Sequence, residues 1–504
     1  MLVCMNARVV CWLSLVPLLG VGMAVSSCSP AGKDSLTQHG GAGAATSSGT
    51  GGTSAIAGVA GSVGLSLGGF QDAPTGDGPC QGLECAVPVC PPGTTTSISG
   101  KIYDPAGKTP LYNVAVYVPN APVAPFTEGA SCERCGASIV NPVTAAITDE
   151  AGSFKLTQVP AGTDVPLVIQ VGKWRRLIKV ASVAACVDTP LIDPQLTRLP
   201  RNKAEGDIPR IAIAAGAADQ MECLPRRLGI DDAEFTGAGG DGRIHLYSGH
   251  HGGGRNPQLP VSQFDASLNG GALLTTADAL WANTDSLMKY DIVILSCEGN
   301  AYGNQKPMAM RQALYDYSSR GGRVFASHWH NVWFAEGPQP VPTTGVWSNR
   351  DDPTPMGEAL SATINETFPK GAALAKWLVN VGASTAQGQM MVEFPRDNLQ
   401  DVNPALAREW ITVQSPVYPD KPKAVQYMSF NTPIGVPEEQ VCGRAVYTDL
   451  HVASVDNATA QQSKPFPTGC EVRDLSAQEK AVAFMLFDLS ACIQNDDKPP
   501  QVPK

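Results

Sequence analysis

Histidine is scarce in this 504-residue chain, and six of its seven copies fall after residue 207. Five of those six stand where apolar, strand-like runs end: His250 and His251, then His328 and His330, then His451. The same ends carry Asp219, Cys297, Glu298, Ser327 and Asp449. Two chemistries fit this set. In the first, His328, His330 and His451, with Glu298 or Asp449, bind a divalent metal, zinc before its neighbours, that activates water; the His-x-His spacing and the imidazole donors suit such an ion. In the second, Ser327 attacks as a nucleophile, His451 takes its proton and Asp449 orients the imidazole, which requires all three within hydrogen-bond reach. The metal reading ranks ahead of the serine reading, and either would make the protein a hydrolase. A third outcome is histidines satisfied by loop carbonyls in a pocket that binds a ligand or merely packs. Trp329 and Trp333, with Asp219 nearby as a polar partner, would suit a carbohydrate ring, although core packing accounts for tryptophans as readily. Cys297 is expected to be disulfide-bonded or simply buried, and His245 to pack inside its strand.

The elements that must position these residues follow from the apolar pattern. Strand-like runs at 208–215, 243–247, 291–296 and 323–326 alternate with helical patterns, among them 306–319, where Met308, Leu314 and Tyr315 share a face. A late strand at 445–447 and an amphipathic helix at 476–489 close the domain. Continuous apolar strands between helices argue for a parallel sheet covered on both sides. Residues 207–495 therefore read as an α/β, flavodoxin-like, doubly wound domain, whose ligands would collect beyond the carboxyl ends of the strands. Upstream, residues 95–200 show short β-segments with turn punctuation, Val114, Val116 and Val118 pointing one way and a hairpin signal at 148–154. That pattern predicts a small β-sandwich. The chain is thus multidomain.

Residues 1–28 carry Arg8, an apolar run and Ser26-Ser27-Cys28, the order of a secretory leader. Residues 29–94 form a Gly/Ser/Ala-rich tether followed by a cysteine-containing linker, too polar and small-chained to build a core. No other run approaches the roughly 20 apolar residues of a membrane span. The net charge of −10 disfavours nucleic acid as a partner. Three of the 14 cysteines, Cys4, Cys11 and Cys28, belong to the leader, and the remaining 11 leave at least one unpaired in an oxidising compartment. Cys80, Cys85 and Cys90 are expected in disulfides rather than on a metal, and Cys132 and Cys135 in a structural bridge rather than a redox pair.

Three resemblances rest on these residues. Ser26-Ser27-Cys28 resembles a bacterial lipobox, which implies a lipidated Cys28 that anchors the protein to a membrane; Ser29 in the next position tilts the expectation toward the outer membrane, on its periplasmic or cell-surface face. Gly100-Lys101-Ile102-Tyr103-Asp104, Pro110-Leu111-Tyr112-Asn113-Val114-Ala115-Val116, Thr148-Asp149 with Gly152-Ser153-Phe154, and Val159-Pro160-Ala161-Gly162-Thr163 together resemble the carboxypeptidase regulatory-like domain, a transthyretin-like sandwich. Domains of that kind are usually non-catalytic, which implies scaffolding or adhesion. The loop 119–143 departs from the compact family pattern. Tyr290 to Ser296, Gly321 to His328 and Gly443 to His451 resemble the ThuA-like branch of the class I glutamine amidotransferase-like superfamily, which implies sugar-related or other small-molecule ligands. A glutamine amidotransferase needs cysteine at the strand-to-helix elbow, where this chain is expected to place Ser327, so glutaminase activity is excluded. Residues 338–387 match nothing in that branch. The alternative to an enzyme is a non-catalytic envelope binding or scaffold protein.

Overall fold

The computed structural model describes residues 80–135, 139–250, 259–348, 359–414, 423–452 and 464–502, all within one compact unit, Asp77–Lys504. Cys28, the leader, the tether and His251 lie outside the described residues. No described helix is long and apolar enough to cross a membrane.

Seven strands come first: β1 (Ser97–Lys101), β2 (Ala115–Pro119), β3 (Pro142–Ile147), β4 (Ser153–Thr157), β5 (Gly162–Val171), β6 (Trp174–Val183) and β7 (Asp188–Leu191). They form two sheets, ordered β4-β1-β7 and β3-β2-β5-β6. Val114, Val116 and Val118 enter the core with Ile98 and Leu156, while Ala115 and Tyr117 face the other way, under the loop that follows β2. The turn at 148–152 does not close a hairpin. Asp149 accepts the backbone N–H of Ala151 and Ser153, yet β3 pairs with β2 and β4 with β1, so the turn carries the chain between sheets. Each sheet then turns one apolar face inward.

The second region contains β8 (Ile211–Ala215), β9 (Phe235–Thr236), β10 (Ile244–Ser248), β11 (Thr275–Thr276), β12 (Ile292–Leu295), β13 (Arg323–Ser327), β14 (Gly345–Trp347), β15 (Ala359–Ile364), β16 (Gln389–Glu393), β17 (Leu399–Val402), β18 (Ala407–Val413), β19 (Ala424–Thr432) and β20 (Gly443–Thr448). Its main sheet runs β11-β10-β8-β12-β13-β20-β19-β18-β15-β16. From β11 to β20 every pairing is parallel; from β20 to β16 every pairing is antiparallel. That antiparallel wing departs from the purely parallel sheet expected. It is built largely from residues beyond 358, where strand and helix patterns do not alternate.

Along β8, Ile211 and Ile213 join one core cluster and Ala212 and Ala214 the other, so apolar side chains leave both faces of the sheet. The helix Ala477–Ser490 covers the first face and Met308–Ser319 the second. In the latter helix Leu314 is buried, but Tyr317 and Ala313 accompany it rather than Met308, which is exposed.

Five disulfides tie the unit together: Cys80–Cys85, Cys90–Cys186, Cys132–Cys442, Cys135–Cys492 and Cys223–Cys470. Cys132 and Cys135 do not bridge to each other; each clamps the loop after β2 to the second region. The two sheets of the first region meet the amino ends of the parallel strands. There Lys173 Nζ lies 2.6 Å from Asp291 Oδ1, just before β12, and Arg323 at the start of β13 donates to the carbonyls of Cys442 and Ala491.

Candidate metal centre at the carboxyl ends of the strands

At the opposite ends of the same strands the chain supplies Gly216 and Asp219 after β8, Ser296, Cys297 and Glu298 after β12, Ser327 and His328 around the end of β13, and Asp449 and His451 after β20. A β-carbon at Gly216 would collide with the carbonyl oxygen of Cys297, so glycine there lets the ends of β8 and β12 approach closely.

His328 is the sharp residue of the β13 elbow. Its φ of 41° lies in the left-handed region, a conformation that costs a non-glycine residue about 1–3 kcal/mol and persists only where its surroundings enforce it. Ser327, by contrast, keeps an extended backbone, with φ −103° and ψ 133°. The elbow is therefore one residue later than the sequence suggested. The left-handed turn drives the His328 ring toward β12, with Nδ1 3.2 Å from Cys297 Sγ, and sets it edge-to-face against His451, ring centroids 5.0 Å apart. One donor atom each from Cys297, His328 and His451 falls within 4.8 Å of the others, and all three residues are buried. This group could hold a metal ion.

The surroundings fix that arrangement. The Tyr447 hydroxyl lies 2.9 Å from the His328 carbonyl oxygen and 2.7 Å from Asp449 Oδ1. Having one proton, it can donate to the carbonyl while a protonated Asp449 donates to it. Burial pushes the Asp449 carboxyl up to about 7, so that protonated form is well populated near neutrality. Asp219 accepts both the Ser327 hydroxyl at 2.8 Å and the Val452 N–H at 2.9 Å, which ties the loop bearing His451 to the end of β8.

All three candidate ligands are neutral without a cation. Burial pushes the Cys297 thiol up to about 12, against the backbone N–H groups of Trp329 and Gly299 that favour its thiolate. Burial, then the neighbouring Arg396, takes His451 down to about 3, and burial followed by His451 holds His328 well below the ordinary imidazole value. Neutral imidazoles are ready ligands, and a bound dication would itself stabilise the thiolate. Asn398 approaches both His328 and Asp449, its side chain toward His328 and its backbone toward Asp449.

Other residues singled out from the sequence lie apart from this group. His330 shares its Nε2 with the Ser296 carbonyl at 2.9 Å and accepts the Trp333 indole N–H on Nδ1 at 2.8 Å, leaving neither nitrogen for a metal. Alternation would put His328 and His330 on one face of a strand, but His328–Asn331 is a 3-10 turn, where residues two apart point in different directions. The Ser327 hydroxyl is given to Asp219 and Asp449 is held by Tyr447, so no Ser327–His451–Asp449 relay is assembled. Glu298 pairs with buried Lys306 at 2.6 Å and accepts the His250 N–H at 2.7 Å, so it too is occupied. Trp333 is buried against Trp281; Trp329 is partly exposed beside His328. His245 is buried, bonded to the Tyr290 hydroxyl.

No family model matches this chain, and no curated protein matches it. Among solved structures it is similar to a ThuA-like protein from Bacteroides uniformis, at 15% identity over 39% of this chain and 76% of that one, with a TM-score of 0.23. It is also similar to a cytoplasmic protein from Salmonella typhimurium, at 11% identity over 43% and 78% of the two chains, TM-score 0.25. A type II cohesin–X-dockerin complex from Acetivibrio cellulolyticus overlaps 25% of this chain and 78% of its own, at 19% identity and a TM-score of 0.14. Overlaps this slight carry no argument about chemistry, which rests on the geometry above.

Two residues of the centre escaped the sequence reading. Cys297 was expected to be disulfide-bonded or simply buried, and it is free and buried; its place among the donor atoms is what the sequence did not show. Tyr447, in the interior of a strand, carries no sequence signal for its contact with the elbow. A further buried acid makes a separate prediction. Burial pushes the Glu222 carboxyl up to about 8, so the folded chain holds a proton that the unfolded chain releases above pH 4.5. Its contribution is complete below that pH and is lost as pH rises through about 8. Glu222→Gln should remove up to about 4 kcal/mol of the stability lost between pH 5 and 9. Denaturant unfolding across that range would show it, and parallel profiles for the two proteins would refute it.

Proposed function

We propose that residues 207–495 form a flavodoxin-like α/β domain whose strand ends bind one divalent transition metal, zinc before others, through Cys297, His328 and His451. The position left open would activate water for hydrolysis of a small molecule or glycan. The observation that carries this reading is the convergence of one thiol and two imidazole donors within 4.8 Å in a buried setting. Three protein ligands with one vacant position are the pattern of catalytic zinc, whose bound water ionises near neutral pH. The backbone N–H groups reaching the Cys297 sulfur support a thiolate ligand. Trp329 offers an aromatic face next to the centre for a sugar ring. We further propose that the protein is exported and held at the outer membrane by a lipidated Cys28, with residues 95–200 as a carboxypeptidase regulatory-like domain beneath the α/β domain. Five disulfides support an oxidising compartment.

Metal-stripped protein titrated with zinc and assayed on p-nitrophenyl acetate and on p-nitrophenyl glycosides tests the hydrolytic half. One equivalent of zinc should raise turnover in the wild type and leave His451→Ala at the background rate. Zinc bound at one equivalent with no gain on any of these substrates would favour the non-catalytic binding protein, a reading that the burial of all three donors supports.

A further inference from the structure

A concavity lies at the other end of the molecule from the metal centre. Its volume of about 650 Å³ falls within the range of small-ligand pockets. The floor is the outer face of the four-stranded sheet at Ala115 and Tyr117, one wall is the proline-rich start of the loop after β2, including Phe126, and the other is the chain beyond the closing helix, including Gln494. Arg323, at the amino end of β13, touches the Ala491 carbonyl on that wall, whereas His328 follows the carboxyl end of the same strand.

Two features specify what such a cavity takes. It is held open in advance: Cys135–Cys492 and Cys132–Cys442 clamp the loop, and the Arg175 guanidinium sits 4.0 Å over the Phe126 ring. Pre-organisation of this kind lowers the cost of binding. Its charges are also committed, Arg175 to Asp207 at 2.8 Å and Glu133 to Lys173 at 3.2 Å. What remains along the lining is a set of side-chain amides, Asn113, Asn141, Gln494 and Gln501, beside two aromatic rings. Nε2 of Gln494 is buried with no hydrogen-bond partner. An amide presents a donor and an acceptor side by side, which matches neighbouring hydroxyl groups, and an aromatic face accepts the C–H side of a sugar ring.

We propose that this cavity is a binding site for a neutral saccharide, separate from the metal centre and independent of it. Isothermal titration of the full-length mature protein with maltose, cellobiose and N,N'-diacetylchitobiose, and with galacturonic acid as a charged control, tests the assignment. At least one neutral disaccharide should bind saturably to the wild type and equally well to Cys297→Ser. Gln494→Ala and Phe126→Ala should each weaken it tenfold or more; should Phe126→Ala fail to fold, Gln494→Ala decides alone. Binding unaltered in the folded variants, stronger binding of galacturonic acid, or no saturable neutral sugar would overturn the proposal.

Discussion

Cys297→Ser is expected to weaken zinc binding at least about 100-fold while the fold survives. Changes to groups that merely support a metal ligand cost 10- to 100-fold in affinity, so removal of a thiolate from a three-ligand set should reach the top of that range or exceed it. Serine has nearly the shape of cysteine and can still accept the N–H groups of Trp329 and Gly299, so packing at this fully buried position should change little. His451→Ala should cost a similar amount. The informative contrast is His330→Gln, which should leave affinity within a few-fold, because both His330 nitrogens already serve Ser296 and Trp333. Competition with a chromophoric chelator measures all three. If His330→Gln lost the metal and Cys297→Ser kept it, the ligands would be those suggested by the His-x-His spacing and not those of the folded chain.

The second large effect belongs to the junction of the two regions. Lys173→Met should destabilise the protein by about 3–5 kcal/mol, the usual cost of removing one member of a buried ion pair. Lys173 is only 6% exposed, and besides Asp291 at 2.6 Å it satisfies the carbonyl oxygens of Thr127 and Gly129 at 2.8 and 2.7 Å. Burial already pushes the Asp291 carboxyl up, with Lys173 opposing it. Without the ammonium that carboxyl should rise further, so the deficit should grow with pH: the folded state then holds a proton that the unfolded state releases. Adding Asp291→Asn to Lys173→Met should recover part of the loss, since of the two carboxylates that Lys173 faces only the more exposed Glu133 would remain charged. Chemical denaturation at pH 5 and pH 8 reads both terms. Simple additivity of the two substitutions would contradict a direct pair.

The parts legible in the sequence were those fixed by local pattern. Continuous apolar runs marked β8, β12, β13 and β20 because a strand buried on both faces has no polar side to alternate. Histidines at the ends of those runs pointed to the rim, since the parallel register lines up the strand ends. What pattern could not supply was direction. A two-residue spacing puts side chains together only on a strand, and the left-handed turn at His328 takes that ring to Cys297 while His330 goes to Ser296 and Trp333. Pairing over long separations was equally silent: Cys132 and Cys135, three residues apart, close loops of 310 and 357 residues to different partners. The antiparallel wing was missed because its strands come from segments without the strand–helix rhythm that revealed the parallel part.

Binding of one metal ion by a thiol and two imidazoles at the strand ends should be visible in the spectrum of the bound ion. Its most direct measurement is the electronic spectrum of the metal-stripped protein loaded with one equivalent of cobalt(II). A thiolate-to-cobalt charge-transfer band together with intense visible bands of a four-coordinate ion is predicted for the wild type, with the charge-transfer band absent in Cys297→Ser. Cobalt that stays in its pale six-coordinate aquo form, or a wild-type spectrum unchanged by that substitution, would contradict the account.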